Sequence, residues 1–247
     1  MMNVIWYKKI LTILFVLLLA PASYARVYLV AVGVSDYPGS ISDLYLPIND
    51  VKVITSIYNK STNVTLCKLL DDKATIKNIN AAMNIFNLAD VNDIIVLYFS
   101  GHGYQGGFAV YDGYLSYSDI RHAMAKSKCK NKIILADACF SGGIGVPSDT
   151  LSDEVQQAKK ANILLFLSSR YNEYSWQRSD MKNAYFTNFL QKGLRGEADK
   201  NRDRIITAQE IFMYVHRNVV EISDGQQHPV MWGNFSNQMP VIQWIKR

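Results

Sequence analysis

The chain has 247 residues, 49% hydrophobic and 19% charged, with a formal net charge of +5. That is enough apolar length for a full hydrophobic core, and it excludes a small disulfide-framed scaffold. Lys8 and Lys9 supply two of the net charges. The remainder is too weakly basic to imply nucleic-acid or membrane-surface binding, and no basic run interleaved with aromatics occurs.

Lys8 and Lys9 precede the apolar run Ile10–Ala20, which ends in Pro21-Ala22-Ser23-Tyr24-Ala25. Small residues stand at −3 and −1 from a cut after Ala25. The pattern predicts a secretory signal peptide over residues 1–25 and an exported domain over 26–247, periplasmic or secreted. The run is shorter than the roughly 18 residues of a spanning helix, so no stable membrane insertion is expected after cleavage. Of the three cysteines, Cys67, Cys129 and Cys139, an exported chain leaves at least one free or bridged to another chain. Cys67 and Cys129 either pair or serve as small buried hydrophobes.

Arg26–Val34 is a continuous apolar run, as expected of a strand covered on both faces. A Ser/Pro/Gly-rich loop to Pro47 leads to a helix over Ile48–Tyr58, and Val64–Leu70 reads as a strand. Thr75 caps a helix whose apolar positions are Ile76, Ile79, Met83 and Phe86. Ile94–Phe99 is the third strand. A glycine-rich turn follows, then a short helix from a Ser118 cap to about Lys126. Lys132–Ala136 and Ile163–Leu167 are strands, with a loop over Ser141–Asp153. Helices are expected over Tyr185–Leu194 and Ala208–Ile222, and an irregular tail over Gln227–Arg247. Strands alternating with helices predict an α/β fold of three layers: a mostly parallel central sheet with helices on both faces. No repeat or linker divides it.

Two of these strands run into polar turns, Ser100-Gly101-His102-Gly103 and Asp137-Ala138-Cys139-Phe140-Ser141-Gly142-Gly143. The carboxyl edge of a parallel sheet is where ligands bind. A thiol with an unperturbed pKa of about 8.5 needs a base to become a good nucleophile at neutral pH, so Cys139 and His102 read as a catalytic dyad. Gly101 and Gly103 allow the tight turn that aims the ring, and Gly142 and Gly143 leave the backbone open to substrate. The backbone N–H groups of Gly103 and Cys139 are the candidate oxyanion hole. His122, His216 and His228 lack a pairing motif and read as structural.

The segments Tyr98-Phe99-Ser100-Gly101-His102-Gly103 and Asp137-Ala138-Cys139-Phe140-Ser141-Gly142 resemble those of caspase-fold cysteine peptidases, closer to metacaspases and their bacterial relatives than to animal caspases. The resemblance runs from about Arg26 to Val220. It implies a caspase-like fold and a cysteine endopeptidase acting through a thioester acyl-enzyme. It also implies that Asp50, Ser100 and Asp137 line the pocket for the residue before the cleaved bond. Asp137 lies two residues before Cys139, so strand alternation puts both on one face. Carboxylates there prefer a cationic guest, so a protein or peptide substrate with Arg or Lys before the cleaved bond is expected. Asp50 as a helix-terminus carboxylate and Asp137 as an acceptor for loop amides are the plainer readings. With that specificity Lys159-Lys160 is a candidate self-cleavage site, an ordinary solvated helix end being the alternative.

That chemistry requires no cofactor. Asp199, Asn201, Asp203, Thr207 and Glu210 do match the oxygen positions of a twelve-residue calcium loop, with Arg204 where glycine belongs. Thr207-Ala208-Gln209-Glu210 is equally a capping box, which explains Thr207 and Glu210 without metal. Two rivals to a peptidase stand beside it: a catalytically idle caspase-like scaffold and a related thiol transpeptidase.

Overall fold

The computed structural model describes residues 25–39, 41–61, 63–104, 106–139, 162–170, 173–176 and 180–245. Residues 1–24 of the expected signal segment, the Ser141–Asp153 loop with Gly142 and Gly143, and Lys159-Lys160 lie outside the described residues.

Six strands form the central sheet: β1 (Val27–Gly33), β2 (Val64–Leu70), β3 (Ile94–Ser100), β7 (Asn131–Asp137), β8 (Ile163–Leu167) and β10 (Val230–Gly233), in spatial order β10-β8-β7-β3-β1-β2. All neighbours are parallel except β10, which runs antiparallel to β8. The sheet is covered on both sides, and its strands sort their residues with period 2. Val30, Val32, Leu97, Phe99 and Ile134 face one core with Ile79 and Met83 of α2 (Ile76–Met83) and Ile120 and Met124 of α3 (Tyr117–Ala125). Leu29, Val96, Tyr98, Ile133 and Leu135 face the other. There they meet Val51, Ile54 and Tyr58 of α1 (Pro47–Ser61), Phe186 and Leu190 of α4 (Tyr185–Lys192), and Ile211, Val215 and Val219 of α5 (Ala208–Ile222). This is the expected three-layer α/β arrangement.

Local signals set most boundaries. Thr75 caps α2 by accepting from Asn78 N, and Thr207 and Glu210 form the full capping box of α5. The α3 cap is Ser116, not Ser118: Ser116 accepts from Asp119 N at 3.0 Å, and Ser118 lies inside the first turn. The α4 helix stops at Lys192 and continues as a wide π-type turn, Gly193–Glu197, in which Gly196 adopts φ 120°.

Two expectations are corrected. The glycine-rich turn after β3 is a small antiparallel sheet, β4 (Gly103–Tyr104), β5 (Gly107–Val110) and β6 (Gly113–Ser116). The tail is not irregular: besides β10 it supplies β11 (Pro240–Gln243), which pairs antiparallel with β9 (Ile205–Thr207). Both sets of strands are four residues or fewer; β11 pairs with a strand remote in sequence, whereas β4, β5 and β6 pair with their immediate neighbours. All three cysteines are free, so Cys67 and Cys129 do not pair. Buried Cys129 donates its thiol to Asp93 O at 2.9 Å. Among the described residues no helix is long and apolar enough to cross a membrane.

The capping box gives a direct check on the fold. Thr207→Ala removes the acceptor for Glu210 N and is expected to cost about 1 kcal/mol in urea denaturation, with an unchanged m-value.

Candidate active site

The parallel register aligns Gly33, Ser100 and Asp137 as neighbours at the carboxyl ends of β1, β3 and β7. Ser100 shares the parity of Tyr98, and Asp137 that of Leu135, so both side chains face the α1/α4 layer. Asp50, in the first turn of α1, comes down on the same spot. A cavity of about 190 Å³ opens there, walled by Leu44, Leu46 and Pro47. Asp50, Ser100, Asp137, His102, Cys139 and Ser175 line the rest. The fold thus gathers five of the expected site residues around one opening.

The cavity floor holds two buried acids. Asp50, 1% exposed, accepts from Ser100 Oγ at 2.9 Å and from Asn183 Nδ2 at 2.7 Å. Asp137, 4% exposed, accepts from Ser175 Oγ at 2.5 Å and from both Thr187 N (3.0 Å) and Thr187 Oγ1 (2.7 Å). Thr187 N belongs to the first turn of α4, whose N-cap, Ala184, has no capping side chain. Asp137 therefore supplies from β7 the cap that α4 lacks, and the positive end of the helix favours its ionised form. Burial raises the pKa of both acids. Asp50 is pushed well above the usual carboxylate range, first by burial and then by the charge on Asp137. The helix N-terminus favours the ionised form of Asp137, whereas burial and the neighbouring charge favour the protonated form of Asp50.

His102 follows β3 on a turn pinned by Tyr37, whose hydroxyl accepts from His102 N at 2.8 Å and donates to Ala109 O at 3.3 Å. The two rings lie 4.9 Å apart, centroid to centroid. His102 Nε2 lies 2.7 Å from Ser42 O. A carbonyl only accepts, so Nε2 carries the proton and Nδ1 of the neutral ring is a free base. The loop presenting Ser42 is held by Asp43, which accepts from Tyr37 N, and by Asp71, which accepts from Ser35 N. Burial raises the Cys139 thiol above its ordinary pKa, partly offset by the backbone N–H of Ser175. Cys139 and His102 lie on the rim of the same cavity.

Gly103 packs directly against the cysteine turn: a Cβ there would sit 2.1 Å from Cys139 O and 3.1 Å from Ala138 Cβ. A Cβ at Gly101 would meet Tyr37 Oη at 2.6 Å. The two glycines serve close approach of two turns rather than flexibility.

The calcium-loop residues lie apart from this cavity, between the Gly193–Glu197 turn and α5. Asp199 Oδ2 accepts from Arg204 N, Asn201 Oδ1 from Asp203 N and Asp203 Oδ1 from Ile205 N. Glu210 accepts from Thr207 and Lys200 N, and Asp199 Oδ1 is buried without a hydrogen-bond partner. Arg204 takes the left-handed φ of 70° that glycine would adopt at that position. Among the described residues no group of three or more His, Cys, Asp or Glu is arranged to hold a metal ion.

Sequence reasoning missed Ser42, Ser175, Asn183 and Thr187, each of which bonds a site residue. The signal available for Ser175 was topological: the segment after β8 leaves the same sheet edge that carries His102 and Cys139.

Gly103→Ala drives a Cβ into backbone that cannot yield without moving Cys139. The expected result is a loss of about 1–3 kcal/mol in denaturant titration. An altered rate of Cys139 alkylation, followed by peptide mass mapping, is expected alongside it.

With this geometry established, comparison with known proteins is informative. The profile of the family described as "Caspase domain" matches residues 26–240. No curated protein sequence matches the chain. Among solved structures, caspase-1 from Spodoptera frugiperda superposes with a TM-score of 0.63 at 15% identity, covering 86% of this chain and 88% of its own. Protein GSU0716 from Geobacter sulfurreducens superposes with a TM-score of 0.61 at 16% identity, covering 84% of this chain and 92% of its own. At such identities the superpositions speak to fold alone. Joined to the family match over nearly all the described residues, they establish that this chain belongs to the caspase-domain family.

Proposed function

We propose that the protein is a cysteine endopeptidase that cleaves after Arg or Lys, with His102 and Cys139 as the dyad. The observation that carries this reading is the pair of buried carboxylates, Asp50 and Asp137, on the floor of the cavity whose rim bears Cys139 and His102. Leu44, Leu46 and Pro47 offer an apolar collar for the methylenes of a long side chain, and the acids below suit its cationic head.

In this mechanism the cationic side chain enters and the proton on Asp50 leaves, so the floor becomes doubly ionised only when a positive guest compensates it. The scissile carbonyl is then held against Cys139. His102 Nδ1 takes the thiol proton as sulfur attacks, and the backbone amides of Gly103 and Cys139 are proposed to receive the developing oxyanion. The tetrahedral intermediate collapses to a thioester, and His102 gives its proton to the leaving amine. Water, deprotonated by the same ring, hydrolyses the thioester and regenerates the thiol. Ser42 O stabilises the imidazolium that forms twice in this cycle.

The same reading makes Lys159-Lys160 a proposed self-cleavage site, and export through residues 1–25 is retained as part of the proposal.

An unbiased peptide library digested by wild type beside Cys139→Ala tests the specificity. Cleavage predominantly after Arg and Lys, absent from the variant, is expected; cleavage after Asp or apolar residues would sink the proposal. An added amine nucleophile separates hydrolysis from transpeptidation, and complete inactivity of the wild type favours the scaffold reading.

Asp50→Asn provides a second, independent test. A raised carboxyl pKa in the folded state means stability present at low pH and lost as pH rises from the ordinary carboxylate range through the raised value. The variant should therefore melt higher than wild type at about pH 8 and match it near pH 4. It should also lose at least roughly tenfold in kcat/KM on Arg and Lys substrates, because the second carboxylate is gone. A variant that is neither more stable at high pH nor less active on basic substrates would contradict the assignment.

A further inference from the structure

Gln227 lies beyond the end of α5, past the left-handed residues Asp224 (φ 49°) and Gly225 (φ 72°), and it is 0% exposed. Its amide is used at both ends. Oε1 accepts from Trp176 N at 2.9 Å, and Nε2 donates to Ser168 O at 2.8 Å and to Ser175 Oγ at 3.3 Å. Its own backbone N donates to Ser223 Oγ at 3.0 Å, which anchors it to the last turn of α5. The next residue continues the seam: His228 bonds Glu173 through its backbone N at 2.7 Å and through Nδ1 at 2.9 Å. One buried side chain thus ties the segment 173–176 to the end of β8.

That segment matters because Ser175 touches both halves of the candidate site. Its hydroxyl donates to Asp137 at 2.5 Å, and its backbone N–H faces the Cys139 thiol. Gln227 touches neither Asp137 nor Cys139 by a hydrogen bond of its own. We infer that Gln227 is a positioning residue, which acts through Ser175 to hold one wall of the cavity in register with Cys139 and the floor carboxylate. Its enzymatic consequence rests on the peptidase reading above; its effect on the thiol does not.

The requirement for glutamine is chemical. Trp176 N–H meets an acceptor and Ser168 C=O a donor on the two separate ends of one uncharged amide, which an isosteric carboxylate cannot match when ionised. An ionised carboxylate in its place would face the Ser168 carbonyl with no proton to give, in a dry site. Protonated, the same carboxyl regains one O–H donor and keeps one acceptor. Gln227→Glu should therefore be defective at high pH and repaired at low pH. The charged and titratable groups near the seam are Asp137 and Cys139 through Ser175, and Glu173, Arg170, His228 and His216 beside it. All are common to variant and wild type, so the ratio of the two isolates the substitution.

The experiment measures kcat and KM on an Arg-containing peptide, and the rate of Cys139 alkylation by iodoacetamide read by peptide mass mapping. Both are followed between about pH 5 and pH 9, with folding checked by circular dichroism. For Gln227→Glu, kcat/KM relative to wild type should fall roughly tenfold or more at the alkaline end and recover toward unity at the acid end, and the alkylation ratio should change over the same interval. For Gln227→Met, which has neither donor nor acceptor of comparable strength, a loss independent of pH is expected. A folded Gln227→Glu with wild-type values throughout, or with an equal loss at every pH, would overturn the inference. If that variant does not fold, wild-type values in Gln227→Met overturn it. Should wild type prove inactive on Arg peptides, the specificity reading fails, and the alkylation ratios still decide the positioning role.

Discussion

Two carboxylates, Asp50 and Asp137, are buried within reach of each other's field at the carboxyl edge of a parallel sheet. Burying an ionised acid is expensive, and burying two together is more so. The surrounding structure reads as the response to that cost. Ser100 and Asn183 donate to Asp50; Ser175 and both donors of Thr187 serve Asp137. Tyr98 extends the arrangement: because Thr187 Oγ1 donates to Asp137, the tyrosine hydroxyl 2.7 Å away donates to Thr187. Strands β3 and β7, helices α1 and α4 and the segment after β8 all converge on this pair. The cavity floor is therefore also a joint between layers of the fold.

The same strand alternation sets the buried acids apart from the two turns above them. Period-2 alternation sends Ser100 and Asp137 to the α1/α4 side, while Phe99 and Ala136 pack into the opposite core. The turns that follow carry His102 and Cys139 over the sheet edge. The acids set charge at the bottom of the cavity, and the Ser42 carbonyl sets the tautomer of the ring at its rim. Burial raises the pKa of the Cys139 thiol, so a thiolate there would need a base beside it, and under the proposed function that base is His102.

Much of this was legible in the residues alone. The apolar runs marked β1, β3, β7 and β8 nearly to the residue, since strands covered on both faces exclude polar interruptions, while β2, a partly exposed edge strand holding Thr65 and Lys68, was read from its branched and apolar residues. Thr75 and Thr207 announced their helices by local hydrogen bonding. The elements that were missed, β4 to β6, β10 and β11, are short and partly exposed. β10 and β11 find their partners elsewhere in the chain, and β4 to β6, though paired locally, are too short for a period to mark them. Ser116 and Ser118 are equally good capping residues by type, and only the direction of the chain leaving β6 selects the first.

The residues alone were enough to read the α/β class, the order of the parallel strands' turns, and the placement of His102 and Cys139 at one sheet edge. Each follows from apolar runs ending in short polar turns. Only the packing of the layers decided which neutral donors satisfy the buried acids, which of the two caps a helix, and which backbone carbonyl orients the histidine. Those are contacts between segments tens of residues apart: Ser42 with His102, Asp50 with Asn183, Asp137 with Thr187, Ser175 with Gln227. Each of these residues has an ordinary local role in the chain, and its part in the site comes from packing the layers together.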